Sequence, residues 1–185
     1  MFMKSEFIYH LPFSQKTKYI ALSHPREHTN RIKNAVDFLM DFNQPILAPL
    51  DGLVWNVKDD SNEGGNDEKY AEWKYQNLIT IKHSETEFSQ YFHLGHKSAL
   101  VKIGDKVKKG QPIAKSIGMI GFTTAPHLHM LVFKVLDNET NNFESKEIIF
   151  KEKVKVIRKI KEIEEIEKKF NKEFSWTSDN LVVPF

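Results

Sequence analysis

The sequence predicts a mainly β fold, a sandwich or barrel of short antiparallel strands, with a C-terminal amphipathic helix. Between residues 45 and 136, short runs of aliphatic and aromatic residues are punctuated by Gly, Pro and Asp-Gly turn signals. That is the pattern of many short strands packed in layers. Residues 127 to 136 are apolar and β-branched enough for a central strand. Farther on, Val156, Ile160, Ile163 and Phe170 recur at helical spacing.

Composition narrows the function classes. A chain of 185 residues fits one domain with an appendage, here expected over 1–140 and 141–185. Hydrophobic residues make up 40%, and 14 Phe supply a core. A net charge of +2 with balanced acids and bases argues against nucleic-acid binding, which needs a concentrated basic face. No cysteine is present, so disulfides and thiolate chemistry are excluded and any metal must be held by His, Asp or Glu. No apolar run approaches the roughly 20 residues of a membrane span. The opening stretch MFMKSEFIYHLPF lacks the pattern of a signal peptide.

The elements follow in order. Pro45 to Pro49 leads into the Asp51-Gly52 turn, and Leu53 to Val57 reads as a short strand. Residues 58 to 76 are polar and carry Gly64-Gly65, as expected of a long loop. It is either a solvated insertion or a cleft wall, since Tyr70, Trp73 and Tyr75 are costly to expose without purpose. Asn77 to His83 alternates like a half-buried strand, and Phe88 to Leu94 is aromatic and β-prone. Val101 to Ile103, Val107, and Pro112 to Ala114 read as short strands between turns at Gly104-Asp105 and Lys108 to Gly110. Asp137 to Ser145 reads as a polar loop, and about 152 to 172 as the helix. That helix is expected to pack on the β-domain with its charges solvated. Its acidic second half weakens a membrane-surface reading.

The residues that carry chemistry centre on His127-Leu128-His129. In a strand, both histidines point to one face and Leu128 to the other. Two imidazoles on one face suit a metal and its reacting water. Asp37 lies within the apolar run Ala35-Val36-Asp37-Phe38, where a carboxylate is costly unless paired or metal-bound. Pairing with Arg31 or a lysine is the plain alternative. His93 is embedded in Gln90-Tyr91-Phe92-His93-Leu94 and is either functional or a backbone-bonded core histidine. Gly118 and Gly121 suggest tight turns close to a cleft. His10, His83 and His96 have no motif support and read as surface or satisfied core residues.

From about residue 34 to 134 the chain resembles the LytM/lysostaphin-type zinc metallopeptidases, peptidase family M23. The segments carrying the resemblance are Ala35 to Phe38, Ala48 to Val54, Asn77 to His83, Tyr91 to Leu94, Val107 to Ala114 and Gly121 to His129, in the family's order. The resemblance implies a barrel-sandwich (duplicated hybrid motif) core. It also implies Zn²⁺ as cofactor, bacterial peptidoglycan peptides as substrate, and a periplasmic or extracellular location. It makes Asp37 and His129 metal ligands, and His93 and His127 the catalytic pair beside them. Two His and one carboxylate leave a fourth position for water, whose pKa zinc lowers from about 15.7 toward about 7. His93 or His127 would take the water's proton and the other would steady the oxyanion.

The chain departs from the family at one position. The first ligand is expected four residues before the Asp, where Lys33 stands. A protonated lysine only donates and cannot bind zinc. His28 is the favoured replacement, His24 the second choice, and absence of a third protein ligand remains open. In that last case the chain would be a degenerate LytM-type regulatory module that binds partners without cleaving. Ala48 to Val54 and Gly104 to Ala114 also look like biotinyl- or lipoyl-carrier and sugar-phosphotransferase IIA domains. The Met-Lys hairpin tip of a carrier is missing, however, and phosphotransfer would not need Asp37.

Overall fold

The computed structural model of the chain describes residues 3–137 and 142–173. Its strands begin with β1 (Lys4–Tyr9), β2 (Ile20–Leu22), β3 (Val36–Leu39), β4 (Ile46–Leu47), β5 (Gly52–Lys58) and β6 (Gly64–Gly65). Next come β7 (Leu78–Lys82), β8 (Glu87–Phe92), β9 (Lys106–Val107), β10 (Pro112–Ala114) and β11 (Gly121–Phe122). The described residues end with β12 (His127–Asp137), β13 (Asn142–Ser145), β14 (Glu147–Phe150), β15 (Val156–Ile157) and the helix α1 (Ile160–Glu173).

A nine-stranded sheet runs β15-β2-β3-β12-β8-β7-β5-β9, with β13 also paired to β12. Strand β12 is its spine. One edge pairs with β3 at residues 127–130 and with β13 farther along, while β8 occupies the other edge. Alternation then divides β12 into two faces. Leu128, Met130 and Val132 enter the main core with Phe38, Ile79, Ile81 and Tyr91. His127, His129, Leu131 and Phe133 point the other way. Thus the face that carries the histidines is continuous with an apolar floor.

Three differences from the sequence reading have physical causes. Residues 152–159 are not helical, and α1 starts at Ile160. Lys153-Val154-Lys155-Val156 alternates with period 2, and β15 pairs in parallel with β2 through Val156 and Ile157. Residues 142–145 are not loop but strand β13, antiparallel to β12. Residues 138–141 lie outside the described residues, as do 174–185. Val101 to Ile103 is a turn approach, because the Lys102 N–H donates to the Asp105 carboxylate at 2.9 Å and the Asp105 N–H returns to Lys102 O at 3.1 Å. The antiparallel expectation holds for most of the sheet. Parallel pairs occur at β1-β14, β6-β11 and β2-β15.

Helix α1 docks on the sheet as its amphipathic stripe requires. Ile163 is fully buried against Leu22, Leu39 and Ala125, with Ile166 and Phe170 packed beside it. Replacing Ile163 with Ala should therefore cost about 3 kcal/mol in urea unfolding, the ordinary penalty of a core truncation. A change within about 0.5 kcal/mol would mean the helix is only a surface attachment.

Candidate metal centre

The centre is assembled across three adjacent strands. Asp37 on β3 lies opposite His129 on β12 and opposite Leu22 on β2. After β2 the chain leaves the sheet and turns, with the N–H groups of Glu27 and His28 donating to His24 O at 3.2 and 2.8 Å. This turn delivers His28 to Asp37. His28 Nε2 donates to Asp37 Oδ2 at 2.9 Å and His129 Nδ1 to Asp37 Oδ1 at 2.8 Å. His127 Nε2 stands 3.7 Å from Oδ1. Ligand atoms of His28, Asp37 and His129 lie within 4.8 Å of one another, as do those of His93, His127 and His129.

The electrostatics suit a cation. Asp37 is buried, and its partners among the described residues are imidazoles rather than a permanent cation. Burial alone would push its pKa up, but the neighbouring His127 and His129 and the hydrogen bonds from His129 and His28 hold it well below the usual range. For His28, burial pulls the pKa down, and the hydrogen bond and charge of Asp37 overcome that and raise it. Two nitrogens and one carboxylate oxygen converging on one point form a donor set that zinc accepts, with room for a fourth ligand. The residues present therefore fit the metal.

His93 and His127 are held in matching tautomers. His93 Nδ1 donates to the Ile120 carbonyl at 2.7 Å, and His127 Nδ1 to the Ala125 carbonyl at 2.8 Å. A carbonyl only accepts, so Nδ1 carries the proton in both rings and Nε2 keeps a lone pair. Their ring centroids are 4.5 Å apart. Burial first, then the nearby His127 and His129, holds His93 well below its usual pKa and so neutral. His93 has a φ of 60°, a left-handed conformation rare for a side-chain-bearing residue and found where structure over-determines it. Its carbonyl accepts from Gly118 N at 2.7 Å, which fixes the loop before β11. That loop needs its glycines: Gly121 has a φ of 74°, and a Cβ on Gly64 would collide with Met119 O across the β6-β11 pair.

The structure brings His28, Asp37, His93, His127 and His129 together and leaves the other histidines elsewhere. His24 accepts from Arg26 N through Nδ1 at 3.3 Å, so it shapes the turn. Lys33 is exposed. His10 binds Glu152, His83 bridges Asp51 O and Ser89, and His96 reaches Ser61 O. Two contacts within the site were not read from the sequence. Ser23 Oγ lies 3.3 Å from His28 Nδ1, and Thr123 Oγ1 lies 3.2 Å from His127 Nδ1.

A groove of about 730 Å³ continues from the centre along the same sheet face. Phe88, Gln90 and Phe92 of β8 form its floor with Leu131 and Phe133 of β12, and Trp73 stands in its wall. Phe92 also packs edge-on against His129, with centroids 5.4 Å apart, which joins groove to centre. Of the loop aromatics, Trp73 is the one that lines this groove. Tyr70 and Tyr75 pack on each other at 5.1 Å.

Helix α1 borders the centre from the other side. Asn171 Nδ2 donates to Thr124 O at 3.2 Å, and Arg26 pairs with Glu164 at 3.1 Å. Glu167 is pushed up from 4.5 to about 7, by burial first and then by Glu27, Asp37 and Glu164. A carboxyl with a raised folded pKa binds its proton more tightly in the native state. It stabilises the fold fully below 4.5, and that contribution is lost as pH rises to about 7. In metal-free protein, E167Q should raise the thermal midpoint at about pH 8 and leave it nearly unchanged at about pH 5. Equal shifts at both pH values would contradict this.

Comparison with known proteins agrees with the geometry. The chain is 33% identical over 152 residues to an "uncharacterized metalloprotease" of Buchnera aphidicola subsp. Baizongia pistaciae, a match covering 78% of this chain and 36% of the relative. It is 32% identical over 106 residues to the peptidoglycan DD-endopeptidase ShyC of Vibrio cholerae, covering 57% of this chain and 21% of that one. The chain thus spans about a third or less of these relatives' lengths. Among solved structures, a zinc-containing peptidase from Vibrio cholerae superposes with a TM-score of 0.51 at 26% identity, covering 81% of this chain and 41% of that chain. Residues 31–142 match the model of peptidase family M23, and the chain belongs to that family.

Proposed function

We propose that this chain is a zinc-dependent endopeptidase that hydrolyses peptide bonds of bacterial peptidoglycan, and that it works in the cell envelope or outside the cell. The observation that carries the reading is the convergence of His28, Asp37 and His129 beside two tautomer-locked histidines. The peptidoglycan endopeptidase among its relatives supports the substrate class. The division into an M23-type domain over 1–140 and an extension over 141–185 belongs to the same reading, supported by a family match that ends at residue 142.

His28, Asp37 and His129 would hold the zinc ion, which supplies Lewis acidity to a water molecule and to the scissile carbonyl. The chain's own residues do the rest. A peptide lying in the groove crosses the apolar floor and meets the centre beyond Phe92. Nε2 of His93 or His127 accepts the proton of the attacking water, because each ring's Nδ1–H is committed to a backbone carbonyl. That Nε2, now protonated, donates to the oxyanion as the tetrahedral centre forms. The proton taken from water then passes to the departing amine. His93's low pKa keeps it ready to accept at neutral pH.

Lys33 in place of the family's first ligand favours a second reading, a degenerate module that binds partners without cleaving. The two readings separate in one set of measurements. H28A, D37A and H129A should each abolish stoichiometric zinc and the clearing of purified cell walls. H93A and H127A should keep zinc and lose about 10²–10⁴-fold in kcat. Wild-type protein that binds no zinc and leaves cell walls turbid would support the degenerate module. W73A should raise KM for a cross-linked peptide severalfold with kcat nearly unchanged, since Trp73 lines the groove away from the centre.

A further inference from the structure

His28 reaches Asp37 from a turn, whereas Asp37 and His129 are fixed by strand register. A ligand on a turn needs its ring held by something other than the sheet. Once Nε2 of His28 gives its lone pair to a metal in place of its hydrogen bond to Asp37, the ring's proton resides on Nδ1. The hydroxyl oxygen of Ser23 lies 3.3 Å from that Nδ1. Both residues are buried, at 5% and 6% exposure, so water is a poor substitute for the hydroxyl. The backbone of Ala35 also bonds the ring and shares this duty.

Ser23 is in turn held by the C-terminal extension. It is the first residue after β2, and its N–H donates to Ile157 O of β15 at 2.9 Å. Next to it, Leu22 packs under Ile163 of α1, and Arg26 within the turn pairs with Glu164. The segment that supplies the upstream histidine is thus clamped by β15 and α1, outside the span that matches the family.

We propose that Ser23 is a positioning residue of the metal centre: its hydroxyl orients the His28 ring, and β15 orients Ser23. The inference rests on His28 being a metal ligand. A hydrogen-bonded outer partner fixes both the tautomer and the aim of a ligating imidazole, and losing one costs about 10–100-fold in metal affinity. Because Ala35 remains, the loss expected here is at the lower end, about tenfold.

The test is a zinc titration of the full chain against a chromophoric chelator, using wild type, S23A, S23T, S23V and H28A. Metal-free unfolding is followed in parallel. S23A should weaken zinc binding about tenfold with little change in the metal-free midpoint, and S23T should restore it. S23V and S23T have the same shape and differ by the hydroxyl, so this pair decides the matter if S23A does not fold. The proposal is overturned if S23A or S23V binds zinc as wild type does, or if S23T binds as weakly as S23V. H28A separates the two levels. If it leaves zinc affinity intact, the ligand assignment itself fails. If it abolishes binding while S23A and S23V do not weaken it, only the role of Ser23 fails.

Discussion

A single carboxylate, Asp37, sits in the middle of a sheet with hydrophobic neighbours on both sides in sequence. An ionised carboxylate in such a place costs several kcal/mol unless charge and hydrogen bonds compensate it. Here the compensation comes from three histidines on two other parts of the chain. His28 approaches from the turn after β2, and His129 and His127 approach from β12. The register between β3 and β12 cannot slip by one residue without turning Asp37 into the core and Phe38 out of it. The position of the carboxylate therefore constrains sheet register, the path of residues 23–28 and the face on which chemistry can occur.

The same alternation that presents Asp37 and the histidines also builds the groove. His127, His129, Leu131 and Phe133 share one face of β12, so the apolar groove runs into the polar centre. The C-terminal extension completes the arrangement at the opposite end. Its β13 pairs with the far half of β12, its β15 with β2, and its helix covers Leu22 and Ala125. Residues beyond the family match are thus woven into the sheet that carries the centre.

Much of this was legible in the residues. The two faces of His127-Leu128-His129 follow from strand alternation, and Leu128 is fully buried as that requires. Asp37 was conspicuous as a charge in an apolar run, and its partners are the histidines rather than Arg31 or a lysine. His93 is both backbone-bonded and beside the centre, so the two readings of it are compatible. Other features were hidden because their cause is tertiary. The offset from Asp37 favoured His28 over His24, and the turn closed on His24 O brings His28 to Asp37. Val156 falls on the stripe shared with Ile160 and Ile163, so the helical period masked a strand that exists only because β2 offers it an edge. The contact of Ser23 with His28 was hidden, since the two lie across a turn.

The central claim is that a metal ion sits between His28, Asp37 and His129, with His93 and His127 beside it as proton carriers. Anomalous diffraction at the zinc edge from crystals of the zinc-loaded chain tests this directly. The account predicts one strong peak within bonding distance of His28 Nε2, Asp37 and His129 Nδ1. A peak among His93, His127 and His129 that leaves His28 unbound, or no peak at either position, would contradict it.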